Sequence, residues 1–234
     1  MLYCFVRGIA FCGVIIFLIG YVFSGKASAV EKESVMVSNI SSDRFTVSWA
    51  NAARQTGMLK YGTTPLLGDA VYDDYGKGHE GTMHYITITG LKPDTTYYYD
   101  TVSGEKVDDN GARHYTAGTG PSLAPSIGSD IVYGRVFLKD SSMPAGGVIV
   151  YIKLVDKDGS GTNGESQLCS SLTDSNGYWY FDLKNMRSET LNSYFSYSET
   201  GDALALEVRS SHGVVASFDV NTSEARPVAD VIGR

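Results

Sequence analysis

The sequence predicts an all-β protein, in which two β-sandwich domains in tandem follow an N-terminal signal peptide. Three observations predict this class. Apolar and polar residues alternate with a period of two, and no amphipathic helix interrupts this pattern. Gly, Asn, Asp and Pro break the alternation at intervals of roughly 8 to 12 residues, which is typical of sandwiches. The composition agrees, because 12% of the residues are aromatic and aromatic side chains fit a pleated, half-buried surface.

The first 29 residues have the organisation of an export signal. Arg7 precedes an apolar run from Gly8 to Phe23, and the small residues Ala27 and Ala29 follow in the A-x-A pattern that a signal peptidase reads. The run is shorter than the roughly 20 residues that span a bilayer comfortably. We therefore expect a secreted protein, either extracellular or in the cell envelope. The alternative is an uncleaved signal anchor, which would be its only attachment to a membrane.

Removal of residues 1–29 leaves an acidic chain with a single cysteine. Arg7 and Lys26 leave with the signal and no acid does, so 19 basic residues become 17 against 26 acidic ones, and the net charge moves from −7 to −9. This charge argues against nucleic acid as a partner, because phosphate binding needs clustered Lys and Arg. Cys169 then has no partner for an internal disulfide, and we expect it to be a buried apolar residue within a strand.

Eleven segments are predicted to be strands, in two groups. Residues 119–129 separate the groups; they hold two Pro, two Gly and four Ser or Thr without apolar periodicity, and they predict a flexible linker. The domains therefore cover residues 33–118 and 130–234. The predicted strands are 35–37, 45–49, 58–61, 84–88 and 95–102 in the first domain, and 131–138, 148–155, 166–172, 178–183, 203–209 and 214–220 in the second.

A turn motif characterises the first domain. Leu91, Pro93, Thr95 and Tyr97 form an L-x-P-x-T-x-Y run, in which the tyrosine ring can fold over a corner and hydrogen-bond back to the turn. With Trp49 on an earlier strand, this run resembles the tyrosine corner and core tryptophan of fibronectin type III domains. The resemblance implies an immunoglobulin-like sandwich and says almost nothing about function.

Within that family, residues 59–65, 84–85 and 91–99 are similar to the fibronectin-like N-terminal domain of purple acid phosphatases. In those enzymes the chemistry belongs to a separate metallophosphatase domain, and no segment of the G-N-H-E kind occurs in this chain. His79 and His84 invite a zinc interpretation, but their spacing is five rather than the four that places two imidazoles on one helical face. We expect them to be ordinary loop and strand residues.

The second domain has its own resemblance. Residues 134–137, 144–150 and 173–181 resemble the carboxypeptidase regulatory-like, transthyretin-like (prealbumin-like) and collagen-adhesin B-type sandwiches. Within the last segment, Asn176 and Gly177 supply the positive φ angles of a tight turn, and Asp174 can cap it with its side chain. The resemblance implies a second β-sandwich over residues 130–234.

One loop has the spacing of a cation site. Asp156, Asp158 and Ser160 occupy positions one, three and five, and Gly161 follows at position six, as in a loop that wraps calcium. Position twelve is Gln167 rather than Glu and the flanks are predicted strands, so an EF-hand is excluded. Two interpretations stay open, namely a solvated hairpin loop and a calcium loop. Calcium is the only cofactor that the sequence suggests.

A second candidate site is the loop that contains Tyr72 and Tyr75. Exposed aromatic rings can stack on the apolar faces of sugars, while nearby acids accept hydrogen bonds from the hydroxyls. These two tyrosines are the predicted ligand-binding residues for a glycan.

The sequence predicts no catalytic residue. G-x-S-x-G is missing, and no motif anchors a Cys-His or paired-carboxylate arrangement. We therefore expect an exported, non-catalytic structural, adhesion or protein-interaction module of the cell envelope or extracellular space. Its partner would be a protein or another cell-surface component. The alternatives are a carbohydrate-binding module and an accessory part of a secreted hydrolase system.

Overall fold

The structure is a computed structural model that describes residues 35–138 and 143–232, so the predicted signal peptide lies outside the described residues. Within those ranges the chain forms fourteen β-strands and two short 3-10 helices, and it contains no α-helix. The all-β prediction is confirmed. In the part of the chain that the structure describes, no helix is long and apolar enough to cross a membrane.

The strands form two groups. The first sandwich contains β1 (Met36–Ser38), β2 (Arg44–Gly62), β3 (Asp69–Tyr72), β4 (Glu80–Thr89), β5 (Thr96–Ser103), β6 (Lys106–Asp108) and β7 (Tyr115–Gly118). The second contains β8 (Ile131–Phe137), β9 (Ile149–Val155), β10 (Cys169–Leu172), β11 (Tyr178–Asp182), β12 (Ala203–Ser210), β13 (Gly213–Asn221) and β14 (Val231–Ile232), with 3-10 helices at Leu183–Asn185 and Thr222–Glu224.

The long strand β2 organises the first sandwich. Its first half pairs with β1 and β4, and its second half pairs with β3 and β5, which in turn pairs with β6 and β7. The pairing with β4 shifts register between Ala50 and Gln55, and such an irregularity bends and twists a strand. Two predicted strands, 45–49 and 58–61, are therefore one strand that serves both layers. The core between the layers includes Phe45, Trp49 and Leu59.

The predicted tyrosine corner is present. The backbone N–H of Lys92 donates to Tyr97 Oη at 2.9 Å, so the ring folds back over the turn that precedes β5. Tyr97 and Leu91 are both buried in the core, and Asp94 adopts a positive φ of 49° in the turn between them. The corner fixes the path of the chain from β4 into β5.

The second sandwich consists of a four-stranded sheet in the order β10-β9-β12-β13 and a three-stranded sheet in the order β11-β8-β14, in which β14 runs parallel to β8. Trp179, Ile152 and Leu204 are among the buried residues between the sheets. Cys169 is a buried free cysteine, as predicted, and burial raises the pKa of its thiol. The observed strand β10 begins three residues later than the predicted one, because Gln167 donates its backbone N–H to Arg187 O instead.

The two sandwiches pack directly on each other. Tyr85 of β4 forms a buried apolar cluster with Ile149 and Tyr151 of β9, and Ser48 Oγ lies 2.7 Å from Tyr151 Oη across the contact. Residues 119–129 contain no helix or strand, but the sandwiches also meet through this interface. The domain limits drawn from the sequence stay a prediction.

A side chain at the end of β1 closes the interface. Asn39 has a positive φ of 54°, and its backbone N–H donates to Leu168 O at 3.0 Å. Its Oδ1 accepts from the Ser170 backbone N–H at 2.8 Å, and its Nδ2 lies 2.9 Å from Tyr85 Oη and 3.1 Å from Ser170 O. The amide therefore pairs with the chain entering β10 as a neighbouring strand would. We call Asn39, Tyr85 and Ser170 the Asn39 junction.

The interface between the sandwiches predicts that the protein loses stability at alkaline pH. Burial raises the pKa of Tyr151 to about 12 from its ordinary value of 10.0, although Ser48 and Arg209 favour the phenolate. Between these values the native state keeps a proton that the unfolded state releases, so the free energy of unfolding falls as the pH rises. We expect Tyr151→Phe to reduce the slope of the unfolding free energy against pH by an amount that corresponds to at most one proton. Urea unfolding at several pH values across that range measures the slope.

The matched control is Tyr180→Phe, which removes an exposed phenol from β11. The same dependence of unfolding free energy on pH in the wild type and in Tyr151→Phe would contradict the burial of Tyr151.

Candidate functional sites

A buried polar chain lies at the bend of β2. His84 Nδ1 is 2.9 Å from Asp73 Oδ2, and His84 Nε2 is 2.8 Å from Asn51 Nδ2. Because an amide nitrogen only donates, His84 Nε2 is the acceptor and the ring proton sits on Nδ1, facing Asp73. Ser103 Oγ donates to Asn51 Oδ1 at 3.0 Å and accepts from Trp49 Nε1 at 2.9 Å. Every side chain in this buried polar network has a hydrogen-bond partner.

This buried polar network supports the fold of the first sandwich. The side chains of His84 and Asp73 are completely buried, and the indole of Trp49 packs against the imidazole at 4.8 Å. A Cβ added to Gly57 would lie 2.2 Å from His84 Nδ1, so the backbone passes too close for any other residue. A substrate has no access to the imidazole. His79 lies apart from this chain and packs its ring on Tyr75 at 4.5 Å.

The predicted cation loop gains a third acid. Asp156, Asp158 and Asp202 each direct a carboxylate oxygen to within 4.8 Å of the others, and no such group of three forms elsewhere in the described ranges. Ser160, a predicted ligand, is not in the group; its backbone N–H donates to Asp158 Oδ1 at 2.8 Å. Asp202 directly precedes β12, and sequence spacing offered no signal that would join it to a loop more than forty residues earlier.

The carboxylates already act as acceptors within the protein. The buried Asp202 accepts from the Lys157 N–H at 2.9 Å and the Ser198 N–H at 2.8 Å, and Asp156 accepts from the Gly159 N–H at 2.8 Å. These bonds hold the hairpin loop without a cation, while three converging carboxylates are also what calcium prefers. The hairpin and calcium interpretations both stay open.

The two interpretations predict opposite effects of one substitution on the melting temperature in the presence of calcium. Asp158→Asn removes one of three mutually repelling charges and keeps an oxygen for the Ser160 N–H, so we expect a higher melting temperature in the presence of a chelator. If the loop binds calcium, the same substitution lowers the melting temperature in millimolar calcium, because a ligand is lost. Differential scanning fluorimetry in both buffers distinguishes the outcomes. A lower melting temperature in chelator would contradict the repulsion argument.

The two tyrosines predicted to bind a glycan are partly exposed, and each has a neighbour over its ring. The ammonium of Lys77 lies 4.8 Å from the ring centroid of Tyr72, and the imidazole of His79 covers Tyr75. The hydroxyl of Tyr75 lies beside Gly147 of the second sandwich. Their glycan contact stays a prediction.

Sequence reasoning missed a larger aromatic surface. On the outer side of the β11-β8-β14 sheet, Tyr178 faces Arg135 and Tyr180 faces Tyr133 across the strands. The guanidinium of Arg135 lies 4.8 Å from the ring centroid of Tyr178 and 4.5 Å from that of Phe137. Tyr133, Tyr178 and Tyr180 are all exposed, the last by 70%. We call Tyr133, Arg135, Phe137, Tyr178 and Tyr180 the aromatic face.

The alternation of Tyr178 and Tyr180 around Trp179 was the available signal for this surface. It indicates which side chains share a side of the strand, but it does not indicate which side is covered. The structure decides this point, because Trp179 is buried in the core while the two tyrosines face outward.

A metallophosphatase-like pattern, G-D-x-x-Y, also occurs at Gly68 to Tyr72. In the structure, Asp69 to Tyr72 form the short strand β3, and Asp69 is exposed and pairs with Tyr61 through the backbone. Asp69 takes no part in the acidic group described above, so the pattern here is a hairpin strand.

The fold consists of two β-sandwiches in tandem, and a family comparison bears on the first of them. Residues 32–116 match the family model described as "Purple acid Phosphatase, N-terminal domain", which confirms the closer resemblance for the first sandwich. The identity of the second sandwich as a carboxypeptidase regulatory-like domain stays a prediction.

One solved structure similar to the chain is the crystal structure of the chicken CNTN1 FN1-FN3 domains. The identity is 11% and the TM-score is 0.28, over 81% of this chain and 64% of that one, so the chain spans less than two thirds of its length. No curated protein matches the chain.

Proposed function

We propose that the chain is an exported, non-catalytic interaction module that binds an extended segment of a protein partner along β11 and the aromatic face. The observation that carries this proposal is the aromatic face itself, on an outer sheet surface of the second sandwich. Tyr and Arg are enriched among the residues that dominate binding energy at protein interfaces. Strands hold these rings rigidly, so little side-chain entropy is lost when they are covered.

A strand edge without a partner strand among the described residues favours a polypeptide partner. β11 is the outer strand of its sheet and pairs only with β8 among the described strands. An extended segment can therefore add its backbone to β11 and place alternate side chains against the aromatic face. A glycan would use the rings but would leave the backbone edge unpaired.

The side chains most suited to catalysis are buried inside the protein, which supports a non-catalytic role. Burial raises the pKa of the Cys169 thiol, so this group stays protonated and enclosed in the core. The His84–Asp73 pair is completely buried. Export rests on the signal-like segment of residues 1–29, and the acidic composition fits a partner other than nucleic acid.

A peptide display selection against the purified protein tests this proposal. We expect peptides that bind through β11, so Tyr133→Ala should weaken them by roughly tenfold or more. N-methylation of alternate peptide amides should weaken them similarly, because it removes the donors that strand addition needs. Tyr72→Ala, a partly exposed tyrosine of the first sandwich, is the matched control and should leave the affinity unchanged.

Two outcomes would overturn the proposal. The first is selected peptides that bind Tyr133→Ala as well as they bind the wild type. The second is a polysaccharide that binds in a Tyr133-dependent way while no selected peptide does, which would identify the surface as a carbohydrate-binding site.

A further inference from the structure

The backbone hydrogen bonds of β11 show which of its residues face the outer edge of the sheet. In an antiparallel pair, alternate residues bond to the neighbouring strand, and the residues between them direct their N–H and C=O groups away from it. Before β11, the Gly177 carbonyl accepts from the Val136 N–H at 2.9 Å. After β11, the Leu183 N–H donates to Asp130 O at 2.9 Å. The odd-numbered residues of β11 therefore bond to β8, and the even-numbered ones face the outer edge.

Two residues of this edge keep unpaired backbone groups. At Tyr178 both groups are already bonded, because the N–H donates to Asp174 Oδ1 at 2.9 Å and the carbonyl accepts from the Asp174 N–H at 2.9 Å. The backbone N–H and C=O groups of Tyr180 and Asp182 bond to no described residue on this side. An added segment can therefore form backbone hydrogen bonds at these two positions.

A cleft of about 560 Å³ lies beside these two positions. Tyr180, Phe181 and Asp182 line it from the second sandwich, and residues 39–44 line it from the first. One strand residue occupies roughly 160 Å³, given a rise of about 3.3 Å, a strand spacing of about 4.8 Å and a sheet spacing of about 10 Å. The cleft therefore has room for about three to four residues of an extended chain, which is enough to span Tyr180 and Asp182.

Asp182 carries the uncompensated charge among the described residues that line the cleft. Asp43 pairs with Arg44 at 3.5 Å, and the charge of Arg187 already interacts with Asp43 and Asp94. Asp182 Oδ1 accepts from two backbone N–H groups, but no cationic side chain of the described residues lies within 4 Å of this carboxylate. Because the backbone groups carry no net charge, the cleft favours a cation beside Asp182.

The pairing determines where each side chain of an added segment lies. Residues directly opposite each other in an antiparallel pair share a face of the sheet, so the residues opposite Tyr180 and Asp182 lie over the aromatic face. The residue between them lies on the side of Phe181, which is partly buried and packs against the core. Since the strands run in opposite directions, the residue opposite Asp182 comes first in the segment.

We propose that an extended segment of a protein partner lies antiparallel to β11 in this cleft and carries three residues of defined chemistry. A basic residue lies opposite Asp182, an apolar residue follows beside Phe181, and a β-branched or aromatic residue lies opposite Tyr180. The acidic composition of the chain also favours a basic partner. This inference rests on the proposed function, because it concerns the same segment, and it adds the character of that segment and a binding surface on the first sandwich.

An NMR titration of the purified protein with capped pentapeptides tests the inference. The probe has Lys, Val and Val as its three central residues, and the matched probe has Glu in place of Lys. We expect the Lys peptide to bind at least several-fold more tightly, because the change replaces an attraction to Asp182 with a repulsion.

Ester substitution of single peptide bonds tests the pairing. An ester oxygen in place of the N–H of the first or third central residue removes a donor to β11, so we expect several-fold weaker binding. The same substitution at the middle residue should leave binding unchanged, because the N–H of that residue points away from β11.

Asp182→Asn tests the charge and keeps an oxygen for the two backbone N–H groups. We expect it to abolish the preference for the Lys peptide over the Glu peptide. Asp230→Asn, which removes an exposed acid just before β14, is the matched control and should keep the preference.

Ser42→Trp tests the contribution of the first sandwich, because Ser42 lines the cleft and a larger side chain there fills it. We expect it to weaken binding of the Lys peptide by roughly tenfold or more. Thr63→Trp, at an exposed position just after β2, is the matched control and should leave binding unchanged.

The inference is overturned if the Lys peptide does not bind at millimolar concentration, if the Lys and Glu peptides bind alike, or if Ser42→Trp leaves the affinity unchanged. Selected peptides that depend on Tyr133 but tolerate both Ser42→Trp and Asp182→Asn would overturn this inference and support the proposed function. The failure of one is therefore distinguishable from the failure of the other.

Discussion

The contact that the rest of the structure depends on is the amide of Asn39. It stands where β1 ends and supplies, from a side chain, the acceptor that a neighbouring strand would offer to the Ser170 N–H. Asn tolerates the positive φ that this geometry requires better than most residues. Its side-chain oxygen accepts across the interface, so replacing Asn39 by Ala leaves the Ser170 N–H without its acceptor.

Around this amide, buried hydroxyl groups restrict the interface to one arrangement of the two sandwiches. Tyr85 Oη donates to Ser170 O at 3.1 Å, and Ser38 Oγ lies 2.7 Å from Ser170 Oγ. A polar network of this kind holds one relative position of the two sandwiches, because any sliding would leave several buried groups unpaired. A cleft of about 560 Å³ that residues of both sandwiches line, among them Asn39, Gln167 and Arg187, exists only in that position. The aromatic face, in contrast, belongs to the second sandwich alone.

Local pattern was sufficient for the class, for most strands and for the corner at Tyr97, because period-two alternation and turn chemistry are written in neighbouring residues. It was insufficient wherever residues that are far apart in the sequence come into contact. Asn39 and Ser170 are 131 residues apart, and Asp202 joins Asp158 only because β12 pairs with β9. The continuity of β2 through its bend was hidden for a related reason, since polar residues at the crossing look like a loop.

The central claim is that the Asn39 junction couples two sandwiches into one folding unit. Differential scanning calorimetry of Asn39→Ala tests it most directly, with Asn110→Ala as control, because Asn110 has the same φ of 54° and bonds only within its own loop. The account predicts one cooperative transition for the wild type and for Asn110→Ala, and two separate transitions for Asn39→Ala. A single transition in Asn39→Ala at the temperature of the control would contradict it.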